Sequence, residues 1–215
     1  MRTKRRTIAL IVERDGRLII RAPMQAKEER IHKFVKQKEE WILSKQEKVK
    51  TNYPPFVPKE YVNGEGFWYL GAIYNLQLGA NQKPPLTLNG TFQLARVAVP
   101  KAARVFEQWY REQAQQVISE RAQWHAAKHG YSFHQFKITS ARTRWGSCSS
   151  RGTLSFDWRL VMAPLPVIDY VVVHELVHLH VKNHSKNFWG KVKDLMSDYQ
   201  TRIDWLEKNG HLLNL

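Results

Sequence analysis

The spacing of hydrophobic and polar positions changes character several times along the 215 residues of the chain. Residues 6–12 and 17–22 are apolar and rich in β-branched side chains, and Asp15-Gly16 between them favours a tight turn, so the chain is predicted to open as a β-hairpin. From residue 26 to about residue 50, Ile31, Phe34, Val35, Ile42 and Leu43 recur at helical spacing among many charges, which predicts one surface helix. A proline-rich break over 52–58 follows. Short strands are then predicted over 67–70, 73–78, 86–88 and 92–99, punctuated by Gly71, Gly79, Asn81 and Asn89-Gly90 as turns. Beyond Pro100, the residues Val105, Phe106, Trp109, Val117, Ile118 and Trp124 mark a long helix to His129, where Gly130 provides a stop.

Two further strands are predicted over 136–145 and 153–160, the second from the alternation of Leu154, Phe156 and Trp158, with the Ser- and Gly-rich segment 146–152 as the loop between them. Pro164 and Pro166 stand where a first helical turn tolerates proline, ahead of an apolar helical run over 167–181. Ser185 can cap a further helix reaching Met196, and a last helix ends near Asn209-Gly210. These elements predict an α+β fold, divided into a basic β-rich lobe with one helix over 1–99 and a second domain over 100–215.

The apolar run over 167–181 contains the candidate chemistry. In His174-Glu175-Leu176-Val177-His178 the histidines are four apart, about 40° around a helix, so both imidazoles project from one face and can grip one ion. Glu175 can reach a water on that ion without being a ligand, which suits metal-assisted hydrolysis with Glu175 as general base. A helix buried through its valines and leucines has little other use for two histidines and a glutamate, since burying such groups unpaired is costly. A catalytic zinc takes three protein ligands and leaves one position to water; His184, six residues beyond His178, is the candidate third ligand. The extended motif H-E-x-x-H-x-x-G-x-x-H has glycine where this chain has Val181, so the chain is expected to turn elsewhere, at Asn183. His180 faces away from the gripping pair. Asp194 and Asp198 are alternative third ligands, or could orient a ligand histidine from behind. Arg142, Arg144 and Tyr170 are candidates to bind substrate and hold a developing oxyanion, Tyr170 being four residues before His174 on the same helix face.

Composition narrows the setting. Cys148 is the one cysteine, which excludes an intrachain disulfide and a Cys-rich zinc cluster; without an identified base partner it is not expected to be a nucleophile. The apolar stretch over 8–12 is too short for a signal-peptide core, and no segment approaches the roughly 20 apolar residues of a membrane span, so the chain reads as cytoplasmic. The net charge of +15 is uneven: 15 basic against 7 acidic residues over 1–50, 11 against 5 over 51–150, and 8 against 7 over 151–215. The motif segment is therefore nearly neutral. The basic flank suits an anionic partner such as nucleic acid or nucleotide, although many basic proteins bind nothing acidic specifically.

Trp145-Gly146-Ser147-Cys148, Leu160, the run over 167–173 leading into His174-Glu175-Leu176, and Asn183-His184-Ser185 followed by Phe188-Trp189 make the chain resemble the YgjP-like metal-dependent hydrolases. The likeness extends over nearly the whole chain, including the N-terminal hairpin and residues 69–78. It implies a zincin-like catalytic domain with Zn²⁺ on His174, His178 and His184, a catalytic Glu175 and an attached basic N-terminal lobe. A more distant likeness is to the SprT-like zinc peptidases, some of which act near DNA. The segment 145–148 reads either as a loop lining the cleft or as a tight turn with Trp145 packed in the core. The leading expectation is a zinc-dependent peptidase or amidase acting on a peptide. One alternative is a metal-dependent phosphoanhydride hydrolase acting on nucleotides as anionic small-molecule substrates, for which no glycine-rich phosphate loop is present and imidazole ligands are a poor match to magnesium. Another is a nucleic-acid-binding module with a structural zinc, which the intact Glu175 opposes.

Overall fold

The computed structural model describes residues 2–3, 7–12, 16–52, 58–141 and 143–215. They fall into two compact units, Met1–Val57 and Pro58–Leu215. In the first, β2 (Ala9–Val12) runs antiparallel to β3 (Leu18–Pro23), with Val12 opposite Leu18, and β1 (Arg2–Thr3) lies parallel on the other side of β3. The predicted hairpin is therefore present. Gly16 has φ of 82°, the left-handed conformation glycine adopts without strain, while Asp15 lies outside the described residues, as do residues 53–57 of the proline-rich break. The single helix predicted over 26–50 is two, α1 (Glu28–Gln37) and α2 (Glu39–Asn52). Lys38 leaves the helical region at φ −110°, ψ 12°, and the chain restarts at Glu39-Glu40, acidic side chains that favour the positive end of a new helix.

The second unit begins with a four-stranded sheet, β4 (Gly66–Tyr69), β5 (Ala72–Gly79), β6 (Leu86–Asn89) and β7 (Thr91–Ala95), in the order β4-β5-β7-β6. Only β5 and β7 are parallel. The predicted strand over 92–99 stops at Ala95, and Arg96–Lys101 is a 3-10 turn containing Pro100, which has no amide to give a ladder. Helix α3 (Ala102–His129) follows and ends at Gly130, whose φ is 69°. Its buried stripe is Ala102, Phe106, Tyr110, Ala114, Ile118, Ala122 and Ala126, a strict four-residue repeat in which alanine allows close approach of neighbours.

A second sheet has the order β8-β10-β9, with β8 (Gln135–Thr139) parallel and β9 (Gly146–Cys148) antiparallel to β10 (Thr153–Asp157). The segment 146–152, expected as a loop, thus supplies an edge strand plus the turn that Gly152 closes at φ 77°. The strand predicted over 153–160 ends at Asp157, whose carboxylate accepts from the Arg159 amide at 2.8 Å and starts a 3-10 turn over Trp158–Met162. Three helices complete the unit: α4 (Leu165–Val177), α5 (Lys186–Leu195) and α6 (Tyr199–Asn209).

One core runs through this unit. Phe67 of β4 stacks on Phe106 of α3 with centroids 4.3 Å apart, Phe92 of β7 meets Phe106 at 5.2 Å, and Tyr110 of α3 meets Trp158 at 5.9 Å. The amides of Leu70 and Gly71 donate to the carbonyls of Val161 and Met162, both at 3.0 Å, pinning the first sheet to the turn that leads into α4. A boundary after residue 99, as the sequence suggested, would cut this core, and the division lies at 57/58 instead. The α+β class holds. Among the described residues no helix is long and apolar enough to cross a membrane.

Candidate metal centre

Helix α4 is held by burial more than by propensity. Its central Val171-Val172-Val173 run is β-branched and only weakly helix-favouring, yet all three side chains are buried, as are Val167, Ile168, Leu176 and Val177. Such an all-round apolar helix is stable only inside a core. Asp169 fastens it to α3 through a two-pronged contact with Arg121, Nε to Oδ1 at 2.5 Å and Nη2 to Oδ2 at 2.8 Å. His125 Nε2 stands 3.3 Å from the same Oδ1.

The helix ends at Val177 with His178 as its cap, and the amides of Leu179, His180 and Val181 bond back to the carbonyls of Leu176 and Val177. The chain bends at Asn183 after this tight finish, as expected, but without a left-handed residue: among the described residues only Tyr61 and Leu70 have a positive φ outside glycine. The reversal returns His184 to the helix. Its Nε2 lies 3.0 Å from Nε2 of His174 and 3.1 Å from Nε2 of His178, and the three imidazoles form a cluster whose ligand atoms all fall within 4.8 Å of one another. Three nitrogens at about 2.0–2.1 Å from one tetrahedral zinc would stand roughly 3.3 Å apart, so the donor set fits such an ion.

Two of the rings are held from behind. Nδ1–H of His178 donates to the Val181 carbonyl at 2.9 Å, and Nδ1 of His174 lies 3.4 Å from the Tyr170 hydroxyl, so both Nε2 atoms are left for the cluster. Burial, reinforced by His178 and His184, lowers the His174 pKa to about 3 and keeps that imidazole neutral. Glu175, 5% exposed, points its carboxylate into the same region, and its Oε2 has no hydrogen-bond partner among the described residues. Burial pushes its pKa up to about 7, against the opposing charge of Arg144.

The family model of the YgjP-like metallopeptidase domain matches residues 6–209. The chain belongs to this family. It is therefore a metal-dependent peptidase in general terms, and the three-histidine cluster is where its described residues can hold a metal ion. Comparison with curated proteins gives no match. Among solved structures, the metallopeptidase zymogen abylysin of Pyrococcus abyssi aligns over 41% of this chain and 90% of its own, at 20% identity and a TM-score of 0.38.

Around this YgjP-like centre the other sequence candidates separate. Arg144 and Tyr170 line a cavity of about 560 Å³ together with all three histidines and Glu175. Arg142 lies outside the described residues. His180 is exposed and packs on Tyr131 at 5.2 Å. Asp194 and Asp198 are exposed and outside the cluster, Asp198 being paired with Arg202. The segment 145–148 is neither the loop nor the tight turn expected of it, since 146–148 is strand β9; it does line the cavity, and Trp145 packs over Gly210, where a methyl group would come within 3.1 Å of the indole. Burial raises the pKa of the half-buried Cys148 thiol, with the Lys182 charge opposing and Glu175 adding to the rise, which agrees with a cysteine that is not a nucleophile.

Sequence reasoning gave no role to Phe188. Fully buried at the start of α5, its ring lies 4.8, 4.5 and 4.8 Å from those of His174, His178 and His184, a common floor for all three. Trp189 stacks on His184 at 5.8 Å. This second contact was open to prediction: with Ser185 as N-cap, His184 and Trp189 occupy the two positions that pack across a helix start. Gly146 was also missed. A Cβ there would lie 2.7 Å from both Cγ and Oε1 of Glu175.

Proposed function

We propose that the protein is a zinc peptidase in which His174, His178 and His184 hold one Zn²⁺ and Glu175 is the general base. The observation that carries this reading is the convergence of three Nε2 atoms beside a buried carboxylate oxygen with no hydrogen-bond partner among the described residues. Zinc, when bound there, supplies a Lewis acid that polarises the scissile carbonyl and makes water acidic enough to react near neutral pH. Glu175 accepts the proton of the attacking water at Oε2 and returns it to the leaving amine. His178 and His174 keep their Nε2 lone pairs directed by the contacts of Nδ1 with Val181 and Tyr170.

Strand β9 supports a peptide substrate. It is the edge of its sheet, and Ser147 faces Ser155 in the pairing while the flanking bonds run between Trp145 and Asp157 and between Ser149 and Thr153. In an antiparallel ladder the alternate residues Gly146 and Cys148 then turn their amides and carbonyls to the open side, where an extended peptide can add as a further strand. This edge borders the cavity that contains Glu175. The test is turnover of a peptide library by the zinc-loaded protein and by Glu175→Gln. A loss of at least about 1,000-fold in kcat with zinc retained is expected; unchanged turnover in the variant would rule out Glu175 as the base.

A further inference from the structure

Two cations line the catalytic cavity, Arg144 and Lys182, and neither has an ion pair or hydrogen bond among the described residues. Elsewhere in the same unit, Arg121, Arg159 and Arg202 each pair with an aspartate. The Arg144 and Lys182 side chains are both exposed. Their positions bracket β9. Arg144 precedes the strand and its field acts on Glu175, whereas Lys182 acts on Cys148 at the strand's far end and on His178. Four residue steps separate 144 from 148, roughly 13 Å of extended chain at about 3.3 Å per residue, the length of a short peptide laid along the edge. The carboxylates in the lining are Glu175, already assigned to proton transfer, and Glu207, which acts on Tyr170 near the other end of α4. Arg144 thus acts on Glu175 by its charge alone, and among the described residues no carboxylate of the lining forms an ion pair with either cation.

We propose that the substrate is an acidic peptide whose carboxylates, flanking the scissile bond, are held by Arg144 and Lys182 at the two ends of β9. This rests on the peptidase reading and names its substrate class. The carboxylates come from Asp and Glu side chains or, on one side, from a free C-terminus. Unpaired cations at the rim of a cleft attract such groups before contact and fix the register of the bound strand.

The test uses the full chain loaded with zinc and a set of peptides identical except for Glu or Gln on either side of the cleaved bond, each with a free or amidated C-terminus. The Glu peptides are expected to have kcat/KM about tenfold above the Gln peptides, a preference that shrinks at high salt. Lys182→Glu and Arg144→Glu should each reverse the preference on one side only, with Lys182→Gln and Arg144→Gln abolishing it there. Zinc content and Tm confirm that the variants are folded. A preference removed by amidation assigns one cation to a C-terminal carboxylate; one that survives amidation assigns both to side chains. Cleavage at equal rates for Glu and Gln peptides, or a preference untouched by all four variants, overturns the proposal while leaving the peptidase reading standing. Zinc-loaded protein that cleaves no peptide, or that hydrolyses a nucleoside triphosphate instead, overturns both.

Discussion

A methyl group at position 146 would sit 2.7 Å from Cγ and Oε1 of Glu175, so the carboxylate would have to shift from its place in the cavity. Gly146→Ala is expected to lower kcat by about 100-fold or more while leaving bound zinc unchanged, a combination read by turnover alongside metal analysis. Phe188 predicts the opposite pattern. Replacing the floor of three imidazoles by Leu loosens their convergence, so Phe188→Leu should weaken zinc binding by about tenfold in a chelator competition. An unaltered affinity would show that the rings are held by their hydrogen bonds alone. The sequence exposes Glu175 and its flanking histidines because their spacing is defined within one helix. Phe188 and Gly146 act through contacts made only after the chain reverses or two strands pair, and spacing carries no trace of those.

At the scale of elements, α4 depends on one polar fastening. Burial pushes the Asp169 carboxyl up, but the contacts from His125 and Arg121 and the charge of Arg121 outweigh it and hold the carboxyl below its usual value. A carboxyl lowered on folding stabilises the fold above its unfolded pKa of about 3.9, and that contribution is lost as the pH falls through the folded value. Asp169→Asn should therefore cost about 1–2 kcal/mol at pH 7, and its melting curve should converge with that of the wild type once the pH falls below the lowered folded value. A gap in Tm that persists in acid would assign the effect to packing. The long periodic elements were legible: α3 stops at Gly130 and α4 starts after Pro164 because those residues set the backbone conformation locally. The short ones were not. Strand β9 hides in a Ser- and Gly-rich segment because its pairing with β10 creates it, and the break at Lys38 interrupts a helical pattern that otherwise continues across it.

At the scale of the whole molecule, the expected lobe boundary failed because the aromatic chain from Phe67 through Phe106 to Trp158 makes the first sheet part of the catalytic core. Hydrophobic periodicity reports which side of an element is buried and is silent about which element buries it. Truncation within residues 58–99 should therefore unfold the metal-binding unit and abolish zinc uptake along with turnover, as followed by far-UV circular dichroism and metal analysis. The centre itself draws on α4, the reversal after it and the turn into α5, and His184 is the member supplied by the return of the chain. Zinc stoichiometry in the wild type and in His184→Ala is the most direct measurement of the central claim. The account predicts about one zinc per chain in the wild type and a site emptied or greatly weakened in the variant. Full zinc occupancy without His184 would contradict the three-histidine centre.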